Sequence, residues 1–190
     1  MKPYTDLMID LETLDTAISG IILEVGFTFF DRNNTERKMA ATNWYPQLEQ
    51  QAGLGRTFST STLNWWTQDH PEEWRVQMTA DRFPLEKVLN EMAQAWQGFA
   101  NNQTWVWAKG TPFDVGMLRS INFEPWSFRR VHDMRTLKEV MEMMDYDVTR
   151  HDNNRPHSAL HDSMCQAQDV QEMISALRIM DQMIKEEAQS

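Results

Sequence analysis

Two acidic residues, Asp10 and Glu12, follow directly on an apolar run at residues 7–9. On a β-strand, residues two apart project from the same face, so these two carboxylates lie side by side. Carboxylates this close repel each other, and each raises the pKa of its neighbour. A divalent cation such as Mg²⁺, which takes oxygen ligands, relieves that repulsion. The spacing therefore favours a metal site, although a strand that runs out into solvent would present the same two side chains.

Three later residues also carry side chains that can bind a metal ion or accept a proton. Asp114 lies in the first turn of a predicted helix, directly after the apolar strand 104–108. His157 precedes Ser158, a good N-cap for a long helix, so we expect the histidine on the loop just outside that helix. Asp162 then falls in the second turn and faces the sheet. A histidine base on a loop beside a fixed carboxylate is a reasonable arrangement for catalysis.

A second histidine, His161, is the alternative to His157 as the base. It lies inside the predicted helix and is adjacent to Asp162. Adjacent helical residues point about 100° apart, so His161 is expected to face away from the carboxylate. The spacing therefore favours His157.

The surrounding pattern predicts an α/β domain with a mixed sheet. Residues 21–31 are rich in β-branched and aromatic side chains and form a second strand, and residues 36–45 follow as a third after a hairpin-length turn. With such short links, these strands and the strand of Asp10 form an antiparallel three-strand meander. The later strands alternate with helices, which is typical of parallel strands in a sheet flanked by helices. We expect one domain over residues 1–190.

Apolar residues at helical spacing predict the helices. The predicted helices cover residues 85–100, residues 113–121, a segment opened by Asp133 or Thr136, and a long C-terminal segment of about residues 158–188. Residues 126–131 are typical of another strand. The polar segment 145–156 is a long loop, and such loops are often functional when they are ordered.

Charge and cysteine content restrict the function further. The formal net charge is −10, which argues against a nucleic-acid binder that works through a broad basic surface. It does not exclude an enzyme whose acids hold cations, and the densest basic stretch is Arg129, Arg130, Arg135 and Lys138. The single cysteine, Cys165, fits a reducing compartment, so we expect a cytoplasmic protein. No signal-peptide pattern or membrane span is evident.

Taken in order, the acidic residues and the histidine resemble the exonuclease motifs of the DEDD superfamily, in its histidine-containing branch. These motifs are Asp10-x-Glu12, Asp114 at the end of Trp-Ala-Lys-Gly-Thr-Pro-Phe-Asp, and His157-x-x-x-x-Asp162. The stretch Ser-Thr-Leu-Asn-Trp-Trp at residues 61–66 is similar to a subgroup that contains phage exonuclease A and a bacterial 3′-to-5′ exoribonuclease. The resemblance runs from about residue 5 to residue 175 and implies a ribonuclease-H-like fold.

The resemblance also implies a mechanism and a substrate. Two divalent metal ions, Mg²⁺ or Mn²⁺, would be held by four carboxylates, those of Asp10, Glu12, Asp114 and Asp162. His157 would be the general base, and Thr13, Leu14 and Phe113 would contact the terminal nucleotide. The partners would be single-stranded or 3′-overhang RNA and/or DNA, and the products would be nucleoside 5′-monophosphates. Many proteins of this kind dimerise, so a homodimer is also expected.

Two other functions fit the same fold. A catalytically silent nucleic-acid-binding or interaction module would be expected to have lost one of the five motif residues, whereas this chain keeps all five. A nuclease that cuts internally would degrade a circular substrate, which an exonuclease cannot do. The spacing from His157 to Asp162 favours the exonuclease.

Overall fold

The computed structural model describes residues 2–148, 151 and 154–188 of the chain. Its centre is a five-stranded sheet in the order β3-β2-β1-β4-β5. The strands are β1 (Asp6–Thr13), β2 (Ile22–Phe30), β3 (Ala40–Trp44), β4 (Trp105–Ala108) and β5 (Val131–Asp133). β1, β2 and β3 pair antiparallel, whereas β4 is parallel to β1 and to β5. The predicted meander and the predicted mixed sheet are confirmed, and the arrangement is that of ribonuclease-H-like folds.

Helices flank this sheet. They are α1 (Leu48–Gly53), α2 (Thr60–Asn64), α3 (Pro71–Thr79), α4 (Leu85–Phe99), α5 (Thr111–Ser120), α6 (Met134–Met143) and α7 (Ala159–Glu187). A π-helical turn, Trp65–Asp69, joins α2 to α3, and a 3-10 turn, Phe128–Arg130, precedes β5. Within the described ranges, no helix combines the length and the hydropathy needed to cross a bilayer.

The sheet is covered on both faces, which explains why the sequence of β2 is almost continuously apolar. All nine residues of β2 are buried. In β1, Leu7 and Ile9 point into a core shared with α4 and α5, whereas Met8 points to the opposite face, under α6 and α7. Because side chains alternate along a strand, Asp10 and Glu12 share the face of Met8. The two acids therefore lie on the face that α7 covers.

Two strands differ from their predicted bounds. β3 begins at Ala40 rather than at residue 36, because a second tight turn that ends at Arg37 precedes it. The strand predicted at residues 126–131 is wrong. Ser127 Oγ accepts a hydrogen bond from the backbone N of Arg129, which caps a 3-10 turn there, and the short strand β5 only follows that turn.

The helix starts agree closely with the sequence pattern. α5 begins two residues earlier than predicted because Gly110, with φ of 109°, adopts the left-handed conformation that turns the chain into the helix. Asp133 caps α6, and α7 begins directly after Ser158. In the predicted loop 145–156, residues 149–150 and 152–153 lie outside the described residues.

Candidate active site

Three carboxylates meet under the start of α7. Asp10 and Glu12 project from β1, where they lie opposite Gly26 and Glu24 of β2. Asp162 comes from the first turn of α7 rather than from the predicted second turn, and one oxygen from each of these three acids lies within 4.8 Å of the others. Oxygen ligands at this separation suit a hard divalent cation. The fold thus brings three of the four predicted metal ligands into one group.

Asp114, the fourth predicted ligand, lies near this group but is turned toward the backbone of β1. It is only 4% exposed and lies in the first turn of α5. Its Oδ1 accepts a hydrogen bond from the backbone N of Leu11 at 3.2 Å. Leu11 stands between the two acids of β1, so this bond fixes α5 against the strand that carries them. Asp114 is close enough to raise the pKa of Asp10.

Burial and neighbouring carboxylates raise the pKa values of Asp10 and Glu12. For Asp10 and Glu12 burial is the main cause, neighbouring carboxylates add to it, and both pKa values lie well above the ordinary range. Burial raises the pKa of Asp114 to about 7, although backbone hydrogen bonds and the guanidinium of Arg135 oppose the shift. Gln166 Nε2 donates to Asp10 Oδ1 at 2.7 Å and partly offsets the repulsion. An excess of buried negative charge on oxygen donors fits a divalent cation.

We expect the unfolding free energy of the metal-free protein to fall between pH 6.5 and pH 8.5. In this window the unfolded chain has already lost its carboxyl protons, whereas the folded chain still holds some, because its pKa values are raised. Stability from a raised carboxyl pKa is complete below the unfolded value and is lost as the pH rises through the folded value, about 7 for Asp114. Each such group contributes a slope of at most about 1.4 kcal/mol per pH unit. Thermal melts in EDTA measure the trend.

The chosen window avoids two histidines that act in the opposite direction. Burial lowers the pKa of His132 and of His157, so both stabilise the fold as the pH rises toward 6.5. Asp114→Asn is the matched variant, because it removes one titrating carboxyl group and should weaken the trend. A wild-type melting temperature that stays level or rises above pH 6.5 would contradict the raised carboxyl pKa values.

A buried carboxylate that the sequence analysis missed, Glu24, anchors the first turn of α7 to the sheet. Glu24 is fully buried on β2. It accepts hydrogen bonds from the backbone N of Ala159 at 3.1 Å and of Leu160 at 3.3 Å. The side-chain amides of Asn43 and Gln77 each donate to it at 2.7 Å. A carboxylate at a helix N-terminus is stabilising, so Glu24 holds this end of α7 in place.

The helix crosses β2 at Gly26, where there is no room for a side chain. A Cβ on Gly26 would lie 2.1 Å from the carbonyl oxygen of Ala159 and 2.6 Å from the backbone N of Leu160. Because Gly26 pairs with Asp10, this close approach brings the helix over the carboxylates. One sequence signal was available for it: an acid two residues before a glycine inside an otherwise apolar strand.

His157 lies just outside α7, as its position in the sequence suggests, in a left-handed backbone conformation with φ of 59°. Its ring centroid is 4.2 Å from that of His70 and 4.7 Å from that of Trp65. The π-helical turn brings Trp65 and His70 together, and such turns are frequent at functional sites. Burial and then His70 lower the pKa of His157, against an opposing effect of Asp162. The neutral imidazole, the form that can accept a proton, is therefore favoured.

The alternative base, His161, takes part in the start of α7. Its Nδ1 lies 3.2 Å from Oγ of Ser158, and that hydroxyl also donates to Glu24 at 3.4 Å. His161 does not belong to the group of three converging carboxylates. Through Ser158, His161 is therefore connected to Glu24, which anchors the first turn of α7.

A cleft of about 430 Å³ opens beside Glu12. Thr13 and Phe113 line it, as the sequence analysis expects of residues that contact a nucleotide, and Trp65 forms another wall. Leu14 does not line this cleft. It is 8% exposed and packs in a small apolar cluster, because the chain turns back toward β2 after Thr13.

The sequence matches the model of the 3′-5′ exoribonuclease Rv2179c-like domain over residues 5–174. The chain belongs to this exoribonuclease family. The match includes every acid of the site and His157, and the predicted exonuclease family is thereby confirmed at this level. The finer likeness to phage exonuclease A is not supported by the comparisons. A search among curated proteins found no sequence that matches this Rv2179c-like chain.

Two solved structures share the fold of this Rv2179c-like domain. The crystal structure of cell-death related nuclease 4 (CRN-4) aligns with a TM-score of 0.55 and 17% identity, over 92% of this chain and 65% of that one. The RNase domain of the yeast Pop2 protein aligns with a TM-score of 0.60 and 10% identity, over 92% of this chain and 78% of that one. At these identities the likeness shows the fold alone, and this chain spans less than two thirds of the nuclease CRN-4.

Proposed function

We propose that this chain is a divalent-metal-dependent 3′-to-5′ exonuclease that releases nucleoside 5′-monophosphates from the ends of RNA or DNA. One observation carries the proposal: the carboxylates of Asp10, Glu12 and Asp162 converge within 4.8 Å. A histidine that favours its neutral form and a cleft of nucleotide size lie next to them. Clustered acids beside a base are the groups that hydrolysis of a phosphodiester requires.

Two divalent cations, Mg²⁺ or Mn²⁺, fit the oxygen donors of this site. Asp10, Glu12 and Asp162 would hold them, and Asp114 would add the fourth carboxylate. When bound, such cations supply the positive charge that activates water and stabilises a leaving oxygen. The acids must be ionised to bind them, and the pKa values of Asp10, Glu12 and Asp114 are raised. Metal binding therefore releases protons and should tighten with rising pH.

His157 accepts a proton from the attacking water in this proposal. The oxygen of that water bonds to phosphorus while the bond from phosphorus to the 3′ oxygen of the preceding nucleotide breaks. The terminal nucleotide then leaves as its 5′-monophosphate. The backbone carbonyl of His157 accepts a hydrogen bond from Gln77 at 3.4 Å, and Trp65 supports the ring, so the base is held near Asp162.

The cleft beside Glu12 takes the terminal nucleoside in this proposal. Phe113 and Trp65 offer aromatic faces for the base, and Thr13 offers a hydroxyl. Stacking on aromatic side chains tolerates every base, because each base has a π-face. That tolerance suits an enzyme that removes nucleotides one after another regardless of sequence.

A degradation assay tests the function directly. The substrates are 5′-labelled single-stranded RNA and DNA of one sequence, a duplex with a 3′ overhang, and a circular strand, each with Mg²⁺ or Mn²⁺. The expected result is a ladder that shortens from the 3′ end and is absent with EDTA and with Asp10→Ala. No degradation by folded protein with metal present would favour a binding module, and cutting of the circle would favour an internal nuclease.

Replacing His157 with alanine should lower kcat by about 10²–10⁴-fold, because general-base catalysis contributes that much. The Mg²⁺ concentration that gives half-maximal activity should stay nearly the same, because the carboxylates remain. Single-turnover assays over a Mg²⁺ titration separate the two quantities. His161→Ala is the matched control and should retain most activity. A His157→Ala variant that lost metal affinity instead would contradict the role of a base.

Two further proposals rest on the sequence alone. The chain forms a homodimer, and it works in the cytoplasm, where Cys165 remains reduced. Sedimentation at two protein concentrations tests the first, and fractionation of cells that express the chain tests the second. A concentration-independent monomer would exclude the dimer.

A further inference from the structure

The basic stretch that the sequence analysis noted between residues 129 and 138 contains four cations, and three of them have local partners. Arg129 lies 5.6 Å from the ring of Phe128. Arg130 donates a hydrogen bond to the side chain of Gln103. Lys138 pairs with Glu142 one turn further along α6, at 3.7 Å. These contacts account for the three side chains as ordinary members of a solvated surface.

Arg135, the fourth cation, is placed differently. Its guanidinium lies against Gly110, where a Cβ would be only 3.3 Å from Nη1 and 3.4 Å from Cζ. Gly110 therefore leaves the space that this guanidinium occupies. Arg135 is exposed, and within the part of the chain that the structure describes, no carboxylate oxygen lies within 4.0 Å of its guanidinium nitrogens. Its donors remain available to a ligand.

Asp133 holds the backbone at Arg135 and ties it to the start of α5. Oδ1 of Asp133 accepts from the backbone N of Arg135 at 2.9 Å, and Oδ2 accepts from the backbone N of Thr111 at 2.9 Å. One side chain thus ties the start of α6 to the start of α5. Because α5 carries Phe113 and Asp114 in its first turn, Arg135 is held beside the candidate site.

The geometry of the sheet indicates which part of a substrate Arg135 could reach. The guanidinium of Arg135 lies against Gly110, which follows β4, and β4 is next to β1, about 5 Å away across the sheet. Arg135 also opposes the rise in the pKa of Asp114, so its charge lies beside the candidate site on the side of β4. The cleft for the terminal nucleoside is lined by residues of β1, the loop after it, α2, the π-helical turn and α5, and none of its lining residues comes from β5 or α6. A strand that leaves the acids on the side of β4 would pass Arg135.

We propose that Arg135 binds a backbone phosphate of the substrate strand on the 5′ side of the scissile bond. The inference rests on the proposed exonuclease function and adds to it a site for the strand that remains after each cut. A guanidinium pairs with phosphate oxygens through two parallel hydrogen bonds, which a lysine ammonium cannot reproduce. In a chain of net charge −10 whose site is lined by acids, a local cation is also needed to hold a polyanion.

Kinetics with two substrates test this. One is a ten-nucleotide strand, and the other is the 4-nitrophenyl ester of a nucleoside 5′-monophosphate, which has no phosphate on the 5′ side of its scissile bond. Arg135→Ala should raise KM for the strand about tenfold, and Arg135→Lys should raise it less. The loss of kcat/KM should be much larger for the strand than for the ester. Lys138→Ala, one turn away on α6, is the control.

Binding tests the same inference without turnover. Anisotropy of a labelled strand, with Ca²⁺ in place of Mg²⁺, gives Kd over a series of salt concentrations. The slope of log Kd against log salt should fall by about one for Arg135→Ala and should not change for Lys138→Ala. Equal losses on strand and ester, or an unchanged slope, would overturn the role of Arg135. A wild type that binds the strand through Arg135 but cleaves neither substrate would instead overturn the exonuclease function.

Discussion

Asp10→Asn should abolish hydrolysis and, at the same time, make the metal-free protein more stable. Burial, Asp114 and Asp162 all raise the pKa of Asp10, so the folded chain bears the cost of burying this charge next to two other carboxylates. A neutral amide removes that charge and keeps an acceptor for Gln166. We expect the free energy of unfolding in EDTA to rise by about 1–2 kcal/mol, the equivalent of roughly one pKa unit. Hydrolysis should fall by about a thousandfold or more, because the cations lose a ligand.

The measurements are thermal melts with and without Mg²⁺ and the ladder assay on the same preparations. Asp31→Asn is the control, because Asp31 is also buried, but hydrogen bonds from Thr5 and Arg37 outweigh the effect of burial and lower its pKa. The backbone N of Thr5 donates to Asp31 Oδ1 at 2.9 Å, and Arg37 pairs with it at 2.9 Å. That change should bring no gain in stability. If Asp10→Asn melted lower than wild type in EDTA, repulsion among the acids could not be the main effect of Asp10 on folding stability.

Gly26→Ala should cost both folding stability and activity, although Gly26 carries no chemical group. The new Cβ would meet backbone atoms of Ala159 at 2.1 and 2.2 Å, so the helix start must move away from β2. Overpacking of a buried contact costs about 1–3 kcal/mol, and more when backbone must shift. The displaced helix takes Asp162 away from Asp10, so we expect Mg²⁺ binding to weaken and hydrolysis to be largely lost. Calorimetry with Mg²⁺ and thermal melts measure the two effects.

Gly98→Ala provides the control for this variant. Gly98 lies in α4, where an added Cβ would meet nothing within 4 Å. Alanine is preferred to glycine inside a helix by about 0.5–1 kcal/mol, so this variant should melt slightly higher and bind Mg²⁺ as wild type does. An unchanged melting temperature and Mg²⁺ affinity for Gly26→Ala would show that α7 does not rest on β2 as described.

The sequence was enough for the parts of the fold that local patterns determine. The β-branched run at residues 21–31 and the helical spacing after Ser158 predicted β2 and α7 nearly to the residue. The strand predicted at residues 126–131 failed because a single side-chain bond from Ser127 favours a 3-10 turn over an extended chain. Local capping of this kind competes with the apolar pattern from which strands are predicted.

The acids and the histidine of the candidate site were recognisable because their types and order are unusual. The residues that hold them in place were not recognisable, because each of these contacts a partner far away in the chain. Glu24 bonds to a helix start 135 residues later, and Arg135 lies against Gly110. Leu14 was expected to contact the terminal nucleotide because it follows Thr13, whereas in the structure the chain turns at Leu14 and buries its side chain. Neither a contact between distant residues nor a turn that buries a side chain leaves a periodic pattern in the sequence.

The candidate site consists of two parts, one on the sheet and one on the start of α7. Asp10 and Glu12 belong to a strand that is hydrogen-bonded on both sides, whereas Asp162 arrives with a helix end that rests on Glu24 and Gly26. Because proteins open locally as well as globally, detachment of that helix end and unfolding of the sheet are distinct equilibria. A ligand that needs both parts has an apparent affinity that includes the free energy of closing the helix end. Metal affinity in this chain therefore depends on how well the first turn of α7 packs against the buried carboxylate of Glu24.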